Sequence, residues 1–310
     1  ISIGETIADV KDPVALPIIQ IDEPTIKMTF GVNTSPFRGK EGEYTTSRNL
    51  KERLERELET DVALTVAPTG SADRWIVAGR GELHLAILIE KMRREGFELE
   101  VSKPEVIFKE IDGKKNEPME LVSIEVPEQY SGVVIEMMGK RAGEMKDMRT
   151  DAGHVYMDFA VPTRALIGSR GEFLTNTKGT GIINSIFLGY EPYKGEMAGE
   201  SRGSIVASAT GVSNSFGLII AQGRGKLFIA PGVPVYEGMV VGQNAKSGDL
   251  PVNVAKTKEL TNFRSKNEGM DVALDVPLTL TLEDAITYIA DDEMVEITPT
   301  SIRIRKTYLT

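Results

Sequence analysis

Residues Gly79–Glu110 read GRGELHLAILIEKMRREGFELEVSKPEVIFKE. Leu85, Leu88, Ile89 and Met92 recur at i, i+3, i+4 and i+7, the spacing of one helix face. Gly96 stops the helix, and Phe97, Leu99 and Val101 then alternate as a strand with one buried face. The stretch predicts a turn, a helix and a strand, the last three parts of a repeating unit.

Upstream lie the parts that complete it. Ile26, Met28, Phe30 and Val32 alternate as a strand, and Asn33–Tyr44 is a loop carrying Pro36, Gly39 and Gly42. Thr46 or Ser47 caps a helix with a Leu50, Leu54, Leu58 stripe, and Lys51–Glu55, Glu52–Arg56 and Arg53–Glu57 are expected on its exposed side. Val62, Leu64 and Val66, then Trp75 and Val77, give two more strands. The order β-α-β-β-α-β is that of a ferredoxin-like unit.

Downstream the order begins again after the turn Asp112–Asn116. A strand over Met119–Val126 precedes a helix over Ser131–Arg141 with Val134, Met137 and Met138 on its face. A strand pair, Gly143–Arg149 and Gly153–Val161, turns at Thr150–Ala152. A short helix within Arg164–Lys178 and a strand at Ile183–Tyr190 complete the second unit. Residues 1–24 read as a strand and a linker punctuated by Pro13, Pro17 and Pro24. From 197 onward glycine is frequent and short strands are expected at Ser204–Ala209, Phe216–Gln222, Lys226–Ile229 and Met239–Gln243. One helix follows Thr281, with Asp284 completing a capping box and Leu282, Ala285, Ile286 and Ile289 on its face; Val295–Lys306 ends as a strand. The expected fold class is α+β: two ferredoxin-like (β-α-β-β-α-β) domains at 25–112 and 113–196, followed by a β-rich C-terminal domain with one helix at 197–310.

Composition narrows the function. No apolar run among the 310 residues approaches the ~18–20 needed to cross a membrane. There is no cysteine, hence no disulfide or thiolate metal site, which fits a cytoplasmic protein. A net charge of −10 argues against a wholly basic surface for general nucleic-acid binding, DNA included, while leaving room for local basic tips. The chain opens on Ile1 inside a β-like stretch, Ile1–Val10, and is expected to be part of a longer protein.

No phosphate-binding loop of the G-x-x-x-x-G-K-[ST] type occurs; Gly223–Lys226 (GRGK) lacks the spacing. His84 beside Glu82, and His154 at a strand start, have no nucleophile in a catalytic spacing and read as locally bonded histidines. No catalytic or metal site is expected. The loop tip Ser35–Lys40 (SPFRGK) can contact phosphate or be an ordinary turn; the helix faces Glu90–Arg94 and Lys51–Glu57 read as solvated. Lys246–Met270 has no apolar period and is long for a connection in a compact domain. Along it Lys246, Lys256, Lys258, Arg264 and Lys266 alternate with Asn253, Asn262 and Asn267, with Asn244 just before. Lys and Arg neutralise phosphates, Asn bonds bases or ribose, and Phe263 can stack. A mobile loop without RNA contact is the alternative.

Several segments resemble one family in order. Thr34–Gly42 (TSPFRGKEG), Gly79–Leu85 (GRGELHL), Met92–Glu98 (MRREGFE) and Lys103–Glu110 (KPEVIFKE) resemble the BipA/TypA translational GTPases, relatives of elongation factor G. So do Pro162–Gly168 (PTRALIG), Gly179–Gly181, Val235–Gly238 (VYEG), Leu260–Arg264 (LTNFR) and Pro299–Lys306 (PTSIRIRK). The resemblance implies the end of a β-barrel domain and linker at 1–24, domains similar to the third and fifth of elongation factor G, and a family-specific C-terminal domain. It implies that GTP and Mg belong to an N-terminal domain absent from this chain, which would hold no cofactor and not be an enzyme alone. It implies a ribosomal partner: rRNA, A-site tRNA and ribosomal proteins, with roles in large-subunit assembly and in stress or cold. The expected RNA-binding residues are Asn244, Lys246, Lys256, Lys258, Asn262, Arg264 and Lys266, with Arg164, Arg170, Arg224 and Lys226 at further loop tips. A protein-interaction module without RNA contact is the competing reading, favoured by the acidic charge.

Overall fold

The computed structural model describes residues 6–11, 13–15, 17, 23–197, 203–257 and 273–308. In chain order the elements are β1 (Ile26–Val32), α1 (Ser47–Leu58), β2 (Thr65–Pro68), β3 (Arg74–Gly79), α2 (Glu82–Arg94), β4 (Leu99–Ser102), β5 (Glu105–Val106) and β6 (Lys109–Ile111). Next come β7 (Lys114–Pro127), α3 (Ser131–Lys140), β8 (Glu144–Asp151), β9 (His154–Pro162), α4 (Thr163–Leu166), α5 (Ser169–Asn176) and β10 (Ile182–Pro192). Then follow β11 (Ser204–Ala207), β12 (Gly211–Val212), α6 (Ser215–Gln222), β13 (Gly225–Leu227), β14 (Pro234–Val235) and β15 (Met239–Asn244). Last are β16 (Leu250–Val252), α7 (Leu282–Tyr288), β17 (Glu293–Ile297) and β18 (Ile302–Lys306). Two compact units result. One is built from Ile1–Val32, Tyr44–Met92 and Pro104–Ala198, the other from Asn33–Glu43, Arg93–Lys103 and Gly199–Thr310.

In the first unit, β3 pairs antiparallel with β1 and β2. Thr46 caps α1, its hydroxyl accepting from the Asn49 N–H at 3.2 Å. Helix α2 buries Leu85, Leu88, Ile89 and Met92, as their spacing predicts, and Ala86 with them. Burial of a Leu, Ile or Met side chain is worth about 1.5–3 kcal/mol, so this face is a main source of stability. The α1 stripe is shifted from its expected position. Leu58, the last helical residue, is exposed, and Arg53 and Glu57 are buried instead. Arg53 Nη1 reaches Glu57 at 2.8 Å, and Lys91 reaches the same carboxylate at 3.2 Å. The pair expected on the solvent side is therefore internal, with Lys91 of α2 bonded to its carboxylate from the exposed side.

The later part of this unit is an antiparallel sheet ordered β10-β7-β9-β8. Alternation puts Val122, Ile124, Val126, Val155, Met157, Phe159 and Val161 on one face, packed on Val134, Met137 and Met138 of α3 and on Ala165 and Phe173. The β8–β9 turn places Ala152 (φ 47°) and Gly153 (φ 81°) in the left-handed region that tight hairpins require.

The second unit contains a sheet in the order β16-β11-β15-β18-β17-β4, with β13 also on β15. Only β11–β16 within this path is parallel. Its core gathers Ile205, Leu218, Ala221, Val235, Tyr236, Val241 and Val254. Three expectations are corrected here. Phe216–Gln222 is not a strand but belongs to α6, which Asn214 caps through a 3.0 Å bond from the Gly217 N–H. The C-terminal domain thus has two helices, α6 and α7, among the described residues, rather than one. Val295–Lys306 is not one strand but the hairpin β17–β18, broken where Pro299 withdraws a backbone donor from the ladder. The capping box at Thr281 and Asp284 is formed.

Candidate nucleic-acid interface

Helix α6 ends at Gln222, and the chain turns into β13 through Gly223–Lys226. The Arg224 N–H caps Ala221 O at 2.9 Å. Gly225 then lies opposite Asn244 of β15. A Cβ at 225 would stand 1.8 Å from the Gln243 carbonyl oxygen, so this contact admits only glycine. On the facing strand, Asn244 Nδ2 donates to Gly248 O at 2.7 Å, its Oδ1 accepts from the Lys246 N–H at 3.3 Å, and the Ala245 N–H bonds Arg224 O at 2.8 Å. The hairpin end therefore brings Arg224, Lys226, Asn244 and Lys246 together, with the three cations exposed. The Asn244 amide is spent on closing the turn and positions Lys246 rather than facing solvent. Nearby Asp249 accepts from Ser204 N–H and pairs with Lys306, whose pKa is raised by Asp249, Asp292 and Glu293 against the opposing effect of its burial.

Lys256 is exposed at the other end of α6. Asn253 Oδ1 accepts the Ala255 N–H at 3.0 Å, and Val254 O accepts from Asn214 at the helix start. Eight residues at ~1.5 Å each put about 12 Å of helix between this point and Arg224. Lys258, Asn262, Arg264 and Lys266 lie outside the described residues. In the first unit, Arg170 is exposed in the first turn of α5. Arg164 is not at a loop tip. It sits in α4, where Nε and Nη2 grip Glu117, which is fully buried, while Nη2 also donates to Gly195 O at 2.6 Å. Its guanidinium is held internally because Glu117 would otherwise be an unpaired charge.

The loop Ser35–Lys40 is held from below. Glu98 accepts the N–H groups of Gly39 (2.7 Å), Glu41 (2.9 Å) and Gly42 (2.7 Å). Phe37 meets Tyr236 edge-on at 5.0 Å, with Lys40 Nζ 4.1 Å from its ring centre. Beneath it, three neighbouring strands place Glu100, Glu296, Arg303 and Arg305 in one polar layer. Arg305 bonds Glu100 and Thr34, Arg303 bonds Glu296 at 3.1 Å and Glu41, and Tyr236 donates to Glu296 at 2.7 Å. Burial, then the Glu296 carboxylate, pushes the Tyr236 phenol pKa up. This layer was not foreseen. Its only signal in the sequence is the matching every-other-residue charge of Glu98/Glu100 and Arg303/Arg305.

His84 bridges Asp61 at 2.5 Å through Nε2, and its Nδ1 faces the Arg80 N–H at 3.3 Å. Burial disfavours the Asp61 anion, but bonds from His84 and the Ala63 N–H outweigh it and lower its pKa. His154 bonds Glu125 at 2.9 Å. Among the described residues no group of three or more His, Cys, Asp or Glu is arranged to hold a metal ion. No described helix is long and apolar enough to cross a membrane.

Residues 202–310 match the TypA/BipA C-terminal domain family, and residues 114–201 match the elongation factor G C-terminus. The large ribosomal subunit assembly factor BipA of Bacillus subtilis is 50% identical over 100% of this chain and 51% of its own length. Its namesake in Synechocystis is 48% identical over 98% of this chain, and that of Escherichia coli K12 is 49% identical over 100%; each is covered to 51% of its own length. The chain thus spans about half the length of the curated relatives it matches. With near-half identity along its full extent and a match to the TypA/BipA C-terminal domain at 202–310, the chain is similar throughout to about one half of the TypA/BipA proteins.

Proposed function

We propose that this chain is the ribosome-docking part of a BipA/TypA-like translational GTPase, acting in assembly of the large ribosomal subunit. The observation that carries this reading is the near-half identity, over the whole chain, to relatives named large ribosomal subunit assembly factors. In this reading the chain divides at residues 24, 112 and 196 into a barrel end, two ferredoxin-like domains and the C-terminal domain. GTP and Mg are handled by the half of the relatives that this chain does not span. Docking is at the ribosomal A site in the cytoplasm, and the segment 246–270 reaches tRNA and rRNA. The exposed Arg224, Lys226 and Lys246 support it, because they stand where that segment begins and can contact phosphate oxygens without contributing base specificity.

Cosedimentation of the full-length protein with ribosomes at two salt concentrations tests the reading. Replacing Arg224, Lys226 and Lys246 by Ala is expected to weaken binding and flatten its salt dependence by up to about 2–3 units of log–log slope. Unchanged binding and slope would remove the cluster from the interface. Absence of any cosedimentation by the unaltered protein would remove the ribosome assignment itself.

A further inference from the structure

The open face of the β10-β7-β9-β8 sheet has no place in the ribosomal reading above. Strand register fixes what it displays. Ile182, Glu125, Tyr156 and Arg149 form one row across the sheet; Asn184, Ser123, Asp158 and Asp147 form the next; Ile186, Leu121 and Glu144 lie in the third, where Ala160 between them is buried. The β10 side is apolar and uncovered, Ile182 being 53% and Ile186 64% exposed. The β7, β9 and β8 side carries Glu125, Asp158, Glu144, Asp147 and, beyond Arg149, Asp151. Against these stand Arg149, which stacks 4.8 Å from the Tyr156 ring, Lys146, which is paired to Glu144 at 2.8 Å, and His154, whose Nδ1 bonds Glu125 at 2.9 Å. A groove of about 340 Å3 on this face is lined by Ile182, Tyr156, Glu125, Asp147, Asp158 and Arg149.

We infer that this face docks a basic amphipathic polypeptide segment of a partner protein. Apolar side chains would lie over Ile182 and Ile186, and Lys or Arg over the carboxylates two to three strands away. At ~4.8 Å per strand that offset is about 10–14 Å, the width of a helix with its side chains. The excess of carboxylate repels a phosphate backbone, so the chemistry selects a cationic peptide over RNA. The inference does not depend on the ribosome assignment.

The probe is a labelled 16-residue peptide of Leu and Lys with its leucines at helical i, i+3, i+4 spacing. A Glu-for-Lys version and a single-stranded RNA of equal length are the controls. Binding to the full chain is followed by anisotropy and by backbone amide shifts. The variant Glu144→Gln/Asp147→Asn/Asp158→Asn is compared with Glu52→Gln/Glu55→Gln/Glu59→Gln on the exposed side of α1 and at its C-terminal cap, which changes net charge equally. The expected result is shifts confined to β7–β10, at least tenfold weaker peptide binding in the sheet variant, and less than twofold change in the α1 variant. Ile182→Ser/Ile186→Ser should weaken it similarly. Equal loss in the two charge variants, shifts elsewhere, or RNA binding on this face would each overturn the proposal.

Discussion

Replacing Glu98 by Gln should release the loop at residues 33–43 while leaving the rest of the chain in place. The carboxylate is 2% exposed and accepts three backbone N–H groups, from Gly39, Glu41 and Gly42. Gln keeps the shape but has one acceptor and one donor end, so the Gly39 N–H would face an NH2 group. Losing that charge-assisted bond costs about 1.5–3 kcal/mol, and neutralising the acceptor of the other two weakens each by about half. The sum exceeds ~3 kcal/mol; undocking lets water take over the three donors and caps the loss near that figure. At ~1.4 kcal/mol per factor of ten, native-state hydrogen exchange at the three amides should accelerate about a hundredfold. Amides of the β1–β3 ladder, such as Phe30 and Val77, should not change. Unaltered exchange at 39, 41 and 42, or the same acceleration in β1 and β3, would refute the view that this carboxylate is the loop's anchor.

Two further outcomes follow from ion pairs. Burial works against charge on Glu41, but bonds from Thr298, Thr300 and Arg303 outweigh it and bring its pKa down from 4.5 to about 2. A depressed pKa stabilises fully above pH ~4.5 and less as pH falls toward 2, so Glu41→Gln should lose about 1–2 kcal/mol at pH 6, after allowing for solvent screening, and about a quarter of that at pH 2.5; urea melts at the two pH values giving the same difference would contradict this. Arg164→Ala leaves Glu117 buried and unpaired, and should cost about 3–5 kcal/mol in urea unfolding, with Lys at 164 recovering less than half because it cannot bond bidentately.

What the sequence made legible was periodic and local. Leu85, Leu88, Ile89 and Met92 declared the face of α2, and Thr281 with Asp284 declared the start of α7, because each signal lies within a turn or two of helix. Phe216–Gln222 failed for the opposite reason. FGLIIAQ is a short, continuously apolar run in which helix and strand periods coincide. The contact that decides it, Gly217 against the Val254 backbone, joins residues far apart in the chain. The α1 stripe departs from its period for a related reason, since Glu57 pairs with Arg53 on its own helix and with Lys91 of another. At the candidate interface, the GRGK segment and Asn244 were each singled out, but their meeting at one hairpin end is a fact of pairing register. Arg164 looked like any exposed arginine until Glu117, 47 residues earlier, was seen beneath it.

The layer formed by Glu100 and Arg305 also sets an order of events during synthesis. The two partners are 205 residues apart. At ~5–20 residues per second, Glu98 and Glu100 leave the ribosome about 10–40 s before β18 is made. Until then the carboxylates of β4 have no arginine, β17 and β18 do not exist, and the loop at residues 33–43 lacks the Tyr236 ring it rests on. The second unit can therefore close only after β18 has been made, while the β1–β3 and β7–β10 sheets of the first have already had all their strands. A nascent chain held in that interval presents a half-built charged layer, and protection of the loop amides would report the moment the last strand arrives.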